Sequence, residues 1–76
     1  MMCLLRELEQ NGEGILAEMP CGGLLSRRLK QFGMIPGTKV RYLGSAPMGS
    51  PLLFRVRGAV ISLRKEDCAG ITVLRA

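Results

Sequence analysis

Glycine and proline divide the apolar residues of this 76-residue chain into short segments. Ten glycines and four prolines separate the apolar runs, and no run approaches the ~20 residues that a membrane-spanning helix needs. Strands of about five residues fit such segments best. The sequence therefore predicts one domain over residues 1–76, mainly β with one helix, without direct membrane insertion.

A hairpin near the C-terminus is the clearest predicted strand pair. Its strands are residues 52–56 and 59–63, joined by Arg57-Gly58, a two-residue connection in which Gly58 can take a positive φ. Further strands are predicted at 13–19, 38–43 and 71–74. In the first two of these strands, the side chains expected to share one face are Ile15 and Ala17, and Thr38, Val40 and Tyr42. In the hairpin and the last strand, the side chains expected on the inner face are Phe54, Val56, Ala59, Ile61 and Leu63, and Ile71 and Val73.

Two segments have helical spacing. Residues 1–10 are either a short helix or an edge segment, because Leu4 and Leu8 lie one helical turn apart. Residues 24–32 form the one well-defined helix, and its expected core side chains are Leu25, Leu29 and Phe32, with Leu24 at their edge. Gly33 is expected to end the helix in the left-handed conformation, and Pro36 cannot continue it. Pro36-Gly37 predicts a tight turn with Gly37 at positive φ.

Five strands this short leave exposed edges unless their sheet closes on itself. A small barrel with the helix over one end removes the edges and has room inside only for side chains. The expected architecture is therefore a small barrel of about five short strands with one inserted helix.

The ionisable residues indicate no catalytic site. The chain has no histidine, and its three cysteines have no Cys-x-x-Cys spacing, so we expect reduced thiols in the cytoplasm and no cofactor. The acidic residues are expected to be solvated. The net charge of +5 fits either an ordinary soluble surface or an anionic partner, and the basic residues are scattered along the chain. Nucleic acid is the less favoured partner, because Tyr42 and Phe54 are expected in the core.

Residues 25–40, LSRRLKQFGMIPGTKV, resemble the FeoA family of bacterial ferrous iron uptake proteins. The segments Ala46-Pro47-Met48-Gly49-Ser50-Pro51, Val56-Arg57-Gly58 and Ile61-Ser62-Leu63-Arg64 extend the likeness, which covers residues 14–73. The resemblance implies an SH3-like barrel and docking on FeoB, a membrane transporter with a cytoplasmic GTP-binding domain. The same domain type is similar to the C-terminal barrel of iron- and manganese-dependent repressors.

The candidate docking residues are Arg27, Lys30 and Met48. The two basic side chains lie on the outward face of the predicted helix, and Met48 lies in a Gly/Pro-bounded loop, either as an exposed contact or as a lid over one barrel end. Arg28 falls near the apolar stripe, so we expect its stem to pack there and its guanidinium to bond backbone carbonyls. The alternatives are a metal-binding or metal-sensing protein, with a weak site of glutamates and cysteines, and self-association through unclosed strands.

Overall fold

One antiparallel sheet runs through the computed structural model, which describes residues 1–19 and 22–75. Its strands are β1 (Met2–Leu4), β2 (Glu13–Glu18), β3 (Lys39–Ser45), β4 (Leu52–Val56), β5 (Ala59–Leu63) and β6 (Thr72–Arg75), in the order β1-β6-β2-β3-β4-β5. The helix α1 (Gly23–Gln31) follows β2, and two short 3₁₀ turns cover Leu5–Glu7 and Lys65–Cys68. In this part of the chain, no helix combines the length and apolarity that crossing a membrane requires.

The sheet has two edge strands, β1 and β5. Its register shifts between Leu16 and Glu18 in β2 and between Tyr42 and Gly44 in β3. Such irregularities bend the strands and increase their twist. The predicted small barrel is therefore a strongly bent six-stranded sheet, and among the described strands no ladder joins β1 to β5. The strand count is six rather than five, because Met2–Leu4 pairs with β6.

A single hydrophobic core lies on the inner side of the sheet. Phe54 is fully buried, and its ring centre lies 5.3 Å from that of Tyr42. The other large, fully buried side chains come from all parts of the chain: Leu5, Leu16, Leu29, Met34, Val40, Val56, Ile71 and Val73. The first ten residues therefore belong to the core, as an edge strand followed by a helical turn.

The C-terminus of α1 decides which side chains the helix region buries. Gly33 has a φ of 84°, the Gly33 N–H donates to the Lys30 carbonyl at 3.0 Å, and the Met34 N–H donates to the Leu29 carbonyl at 2.9 Å. This bonding pattern closes a helix with a left-handed residue and brings the next side chain back against the last turn. Met34 is therefore buried. Phe32 is 47% exposed, and its predicted place in the core is wrong.

One further predicted side-chain position is wrong: Ala59 is exposed, because it begins β5 beside the turn of the hairpin. In α1, Leu25 is half-buried and packs against the core, and Ser26 is buried together with Leu29. In β2, Ile15 and Ala17 share one face as predicted; this face is half-buried, and the buried positions are Gly14 and Leu16.

The β4–β5 hairpin has the predicted bounds. Val56 pairs with Ala59 across the turn. Arg57 has a φ of 52° and Gly58 a φ of 84°, the two positive values that a type I′ turn requires. Gly37, which follows Pro36 after α1, has a φ of 95°. Glycine takes these conformations without the steric cost of a Cβ, so both tight turns form where the sequence places them.

Candidate docking surface

Arg27 and Lys30 lie on the solvent face of α1. Both side chains are exposed, and they lie three residues apart, on neighbouring turns of the helix. Neither forms an ion pair within the part of the chain that the structure describes. Their charges are therefore available to a partner surface.

Arg28 does not take the position that the sequence predicts. The stripe expected to hold its stem was bounded by Leu24 and Phe32, and these are 75% and 47% exposed. Arg28 itself is exposed, and its guanidinium has no hydrogen-bond acceptor within residues 1–19 and 22–75. Arg28 lines a groove with Ser62, Arg64 and other residues, so it adds to the surface charge rather than to the packing.

Met48 projects from a short turn between β3 and β4. The Gly49 N–H donates to the Ala46 carbonyl at 2.8 Å, and the Ala46 N–H donates to the Pro51 carbonyl at 3.0 Å. Met48, within this turn, is 93% exposed. It covers no end of the sheet, so the lid alternative is wrong. An exposed, flexible thioether is a suitable contact for an apolar patch on a partner.

The basic residues form a surface that their scatter along the sequence conceals. Residues 19–65 contain no aspartate or glutamate, yet they include all the lysines and arginines except Arg6 and Arg75. Only Glu13 forms ion pairs among the described residues, with Lys39 at 3.4 Å and Arg41 at 2.8 Å. Six basic residues between positions 19 and 64 have no acidic partner among the described residues: Arg27, Arg28, Lys30, Arg55, Arg57 and Arg64. The acid-free stretch is a sequence signal that could have predicted this surface.

Two arginines face each other on the outer side of the sheet. Arg41 in β3 is directly opposite Arg55 in β4, and Glu13 in β2 is opposite Arg41 on its other side. Like charges directly opposite one another destabilise a sheet. Glu13 offsets the charge of Arg41, whereas Arg55 has no acidic neighbour in its cross-strand row. The outer side of the sheet therefore carries Arg55 as a cation without an acidic partner among the described residues.

Glu13 makes the stability of this row depend on pH. The hydrogen bonds and charges of Arg41 and Lys39 hold the pKa of the Glu13 carboxyl below its ordinary value of 4.5. A lowered pKa in the folded state stabilises the protein above pH 4.5, and this contribution is lost as the pH falls through the folded-state pKa. We expect Glu13→Gln to lower the urea midpoint at pH 7 and to have a smaller effect at pH 3. An equal loss at both values would show that the ion pairs contribute nothing.

The described residues show no metal site or nucleic-acid platform. Within residues 1–19 and 22–75, no three cysteine, aspartate or glutamate side chains converge. Cys3 is half-buried, and burial raises the pKa of the Cys68 thiol to about 11, so Cys68 stays a neutral thiol at pH 7. The remaining cysteine, Cys21, lies outside the described residues. Phe54 is buried in the core and the half-buried Tyr42 packs against it, so the Phe54 ring is not available as the stacking platform that single-stranded nucleic acid needs.

Residues 3–75 match the model of the FeoA domain. The chain is 28% identical over 69 residues to the Fe(2+) transport protein A/Fe(2+) transporter FeoB fusion protein of Porphyromonas gingivalis. That match covers 91% of this chain and 8% of the relative, so the chain spans less than a tenth of the relative's length.

Two solved structures show the same fold. The zinc-complexed FeoA of Stenotrophomonas maltophilia, a prokaryotic SH3 domain protein, is 25% identical with a TM-score of 0.77, over 93% of this chain and 88% of that chain. The apo form of the manganese-activated repressor ScaR is 26% identical with a TM-score of 0.82, over 96% of this chain and 35% of that chain. The bent sheet with one helix is therefore an SH3-like fold, and it also occurs as part of a larger repressor.

Proposed function

Because the chain belongs to the FeoA domain family, we propose that it is a cytoplasmic accessory module of ferrous iron uptake, docking on the GTP-binding domain of a FeoB-type transporter. The family is associated with ferrous iron transport, and its domain is accessory rather than catalytic. The module acts by contact, through its outer surface.

The observation that carries this proposal is the fusion in Porphyromonas gingivalis, in which transport protein A and transporter FeoB are one chain. A covalent link holds two domains at a high local concentration and favours contacts between them. The contact between the two domains is supplied by the outer surface of the module.

The surface offered for this contact consists of Arg27 and Lys30 on α1, with Met48 in the neighbouring loop. Its charge complements an acidic face on the transporter domain, because residues 19–65 carry no acidic side chain. Exposed charges of this kind accelerate association and choose between partners more than they add affinity. Binding is therefore expected to weaken as the salt concentration rises.

The test is a double charge reversal, Arg27→Glu with Lys30→Glu, measured by calorimetric titration with the purified GTP-binding domain of the transporter. Both side chains are exposed, so the variant is expected to fold. We expect its affinity to fall at least ~10-fold, which corresponds to about 1.4 kcal/mol, with a smaller effect at high salt.

A matched control carries the same change in net charge elsewhere. Arg6→Glu with Arg75→Glu alters two exposed cations beside β1 and at the end of β6. This control is expected to bind within about twofold of the unmodified chain. Equal losses in the two variants would indicate a net-charge effect without a docking face, and unchanged binding by the α1 variant would exclude this face.

A further inference from the structure

The outer edge of β5 has backbone groups that no described strand pairs. Val56 and Ala59 flank the two-residue turn, so they exchange both hydrogen bonds of their pair. Bonded and non-bonded pairs alternate along an antiparallel ladder. The N–H and C=O groups of Val60 and Ser62 therefore point away from β4, and they have no backbone partner within residues 1–19 and 22–75.

Nothing within β5 blocks the approach of another strand. The segment from Ala59 to Leu63 contains no proline and no charged residue, and it pairs with β4 without a bulge. Val60 is 56% exposed. Proteins ordinarily protect an edge strand with one of these devices. The other edge is different, since β1 has three residues and Glu7 Oε1 accepts the Leu4 N–H at 2.9 Å.

The helix α1 forms a wall facing the β5 edge. One groove of about 800 Å³ lies between Leu24, Leu25 and Arg28 on the helix side and Ser62 and Arg64 on the strand side. A second groove of about 320 Å³ lies at the other end of the strand, and its lining includes Lys30, Phe32, Arg57 and Ala59. An extended segment lying along β5 would therefore run between a strand edge and a helix.

The charges along the β5 edge indicate which charge a bound segment should carry. Arg28 and Arg64 lie at one end, and Lys30 and Arg57 lie at the other. The ion pairs of the described residues involve none of them. Glu66 and Asp67 also line the larger groove, so the charges are balanced at that end. The edge as a whole carries a net positive charge, because no acidic residue lines the groove that contains Lys30 and Arg57.

We propose that β5 binds an extended acidic segment of another protein, which adds to the sheet as a further strand between β5 and α1. The backbone groups of Val60 and Ser62 supply the hydrogen bonds, and the four cations select acidic side chains. A second copy of this chain is disfavoured, because pairing β5 with β5 would bring two sets of four cations together. The inference goes beyond the proposed function, since it concerns the backbone of β5 and applies to any acidic strand.

The test compares Val60→Pro with Val60→Thr. The Val60 N–H faces away from β4, so proline removes the outward donor and leaves the β4–β5 ladder intact, as edge strands allow. Threonine keeps the N–H and the β-branched shape. The probe is a fluorescein-labelled ten-residue peptide of alternating glutamate and threonine, and its binding is followed by fluorescence anisotropy. We expect Val60→Pro to bind at least ~10-fold more weakly, and Val60→Thr within about twofold of the unmodified chain.

Amide hydrogen exchange gives a second readout that does not depend on the variants. The exchange of the Val60 and Ser62 amides is expected to slow when the acidic peptide is added, because their N–H groups become hydrogen-bonded. A peptide with lysine in place of glutamate is expected not to bind. Failure of the unmodified chain to bind the acidic peptide at millimolar concentration would overturn the proposal. So would equal binding by a folded Val60→Pro variant, or binding that leaves both amides unprotected.

Sedimentation of the unmodified chain tests whether a second copy of the chain, and not an acidic segment, pairs with β5. A dimer that Val60→Pro abolishes and that the acidic peptide fails to dissociate would assign β5 to a second copy, against the proposal. The single variant Arg27→Glu leaves all four cations of the β5 edge in place, so loss of transporter binding in this variant concerns only the proposed function. The two proposals therefore fail in different experiments.

Discussion

Phe54→Ala is expected to lower the free energy of unfolding by about 3–5 kcal/mol. The side chain is fully buried, and its ring centre lies 5.3 Å from that of Tyr42. Truncation removes the transfer free energy of the ring and leaves a cavity that a bent sheet cannot fully close. Domains of this size have only ~5–10 kcal/mol of stability, so the variant approaches the limit of folding.

The control for this prediction is Phe32→Ala. Phe32 is the other phenylalanine of the chain, and it is 47% exposed beyond the last turn of α1. The same chemical change is expected to cost less than about 1 kcal/mol there, since the side chain leaves no enclosed cavity. Urea denaturation followed by circular dichroism measures both variants. Equal losses would place Phe32 in the core, contrary to the structure.

Gly14→Ala is expected to destabilise the protein by about 1–3 kcal/mol, although it adds one methyl group. Gly14 is buried in β2 beside β6. A Cβ at this position would stand 3.0 Å from both Cβ and Cγ2 of Val73 and 3.2 Å from the carbonyl oxygen of Leu74. Val73 is fully buried, so neither the side chain nor the neighbouring strand moves aside without disturbing the core.

The double variant Gly14→Ala with Val73→Ala tests this explanation. Val73→Ala alone leaves a cavity and is expected to cost about 2 kcal/mol. The two changes together relieve the close contact, so their combined loss is expected to be smaller than the sum by about 1 kcal/mol. Thermal or urea denaturation of the four proteins gives the coupling energy. Strict additivity would show that the cost at Gly14 does not come from Val73.

Local signals predicted the elements that local chemistry specifies. The β4–β5 hairpin has its predicted bounds because the two-residue turn and the alternating apolar residues agree with each other. The helix was predicted within one residue at each end, and Gly33 follows its C-cap residue, Phe32. For residues 1–10 the sequence left a short helix and an edge segment open, and only the pairing with β6 makes Met2–Leu4 an edge strand, since three residues carry no recognisable period.

The candidate surface was predicted in part. Arg27 and Lys30 are exposed as the helical period requires, and Met48 is exposed in its loop. The interaction predicted for Arg28 is not seen among the described residues, because it depended on an apolar stripe that the end of α1 rearranges. The positions of two other cations were missed, since the sheet brings Arg57 and Arg64 to grooves that α1 also lines, which sequence distance does not reveal.

The sequence by itself determined the turns, the helix, the hairpin register and the absence of acidic side chains from residues 19–65. These depend on backbone preferences and composition, which act over a few residues. Only the tertiary structure decided that Met34 replaces Phe32 in the core, that β1 joins the sheet, and that β5 has an edge that no described strand pairs. Each of these follows from contacts between distant segments, whose free energy depends on how the whole chain packs.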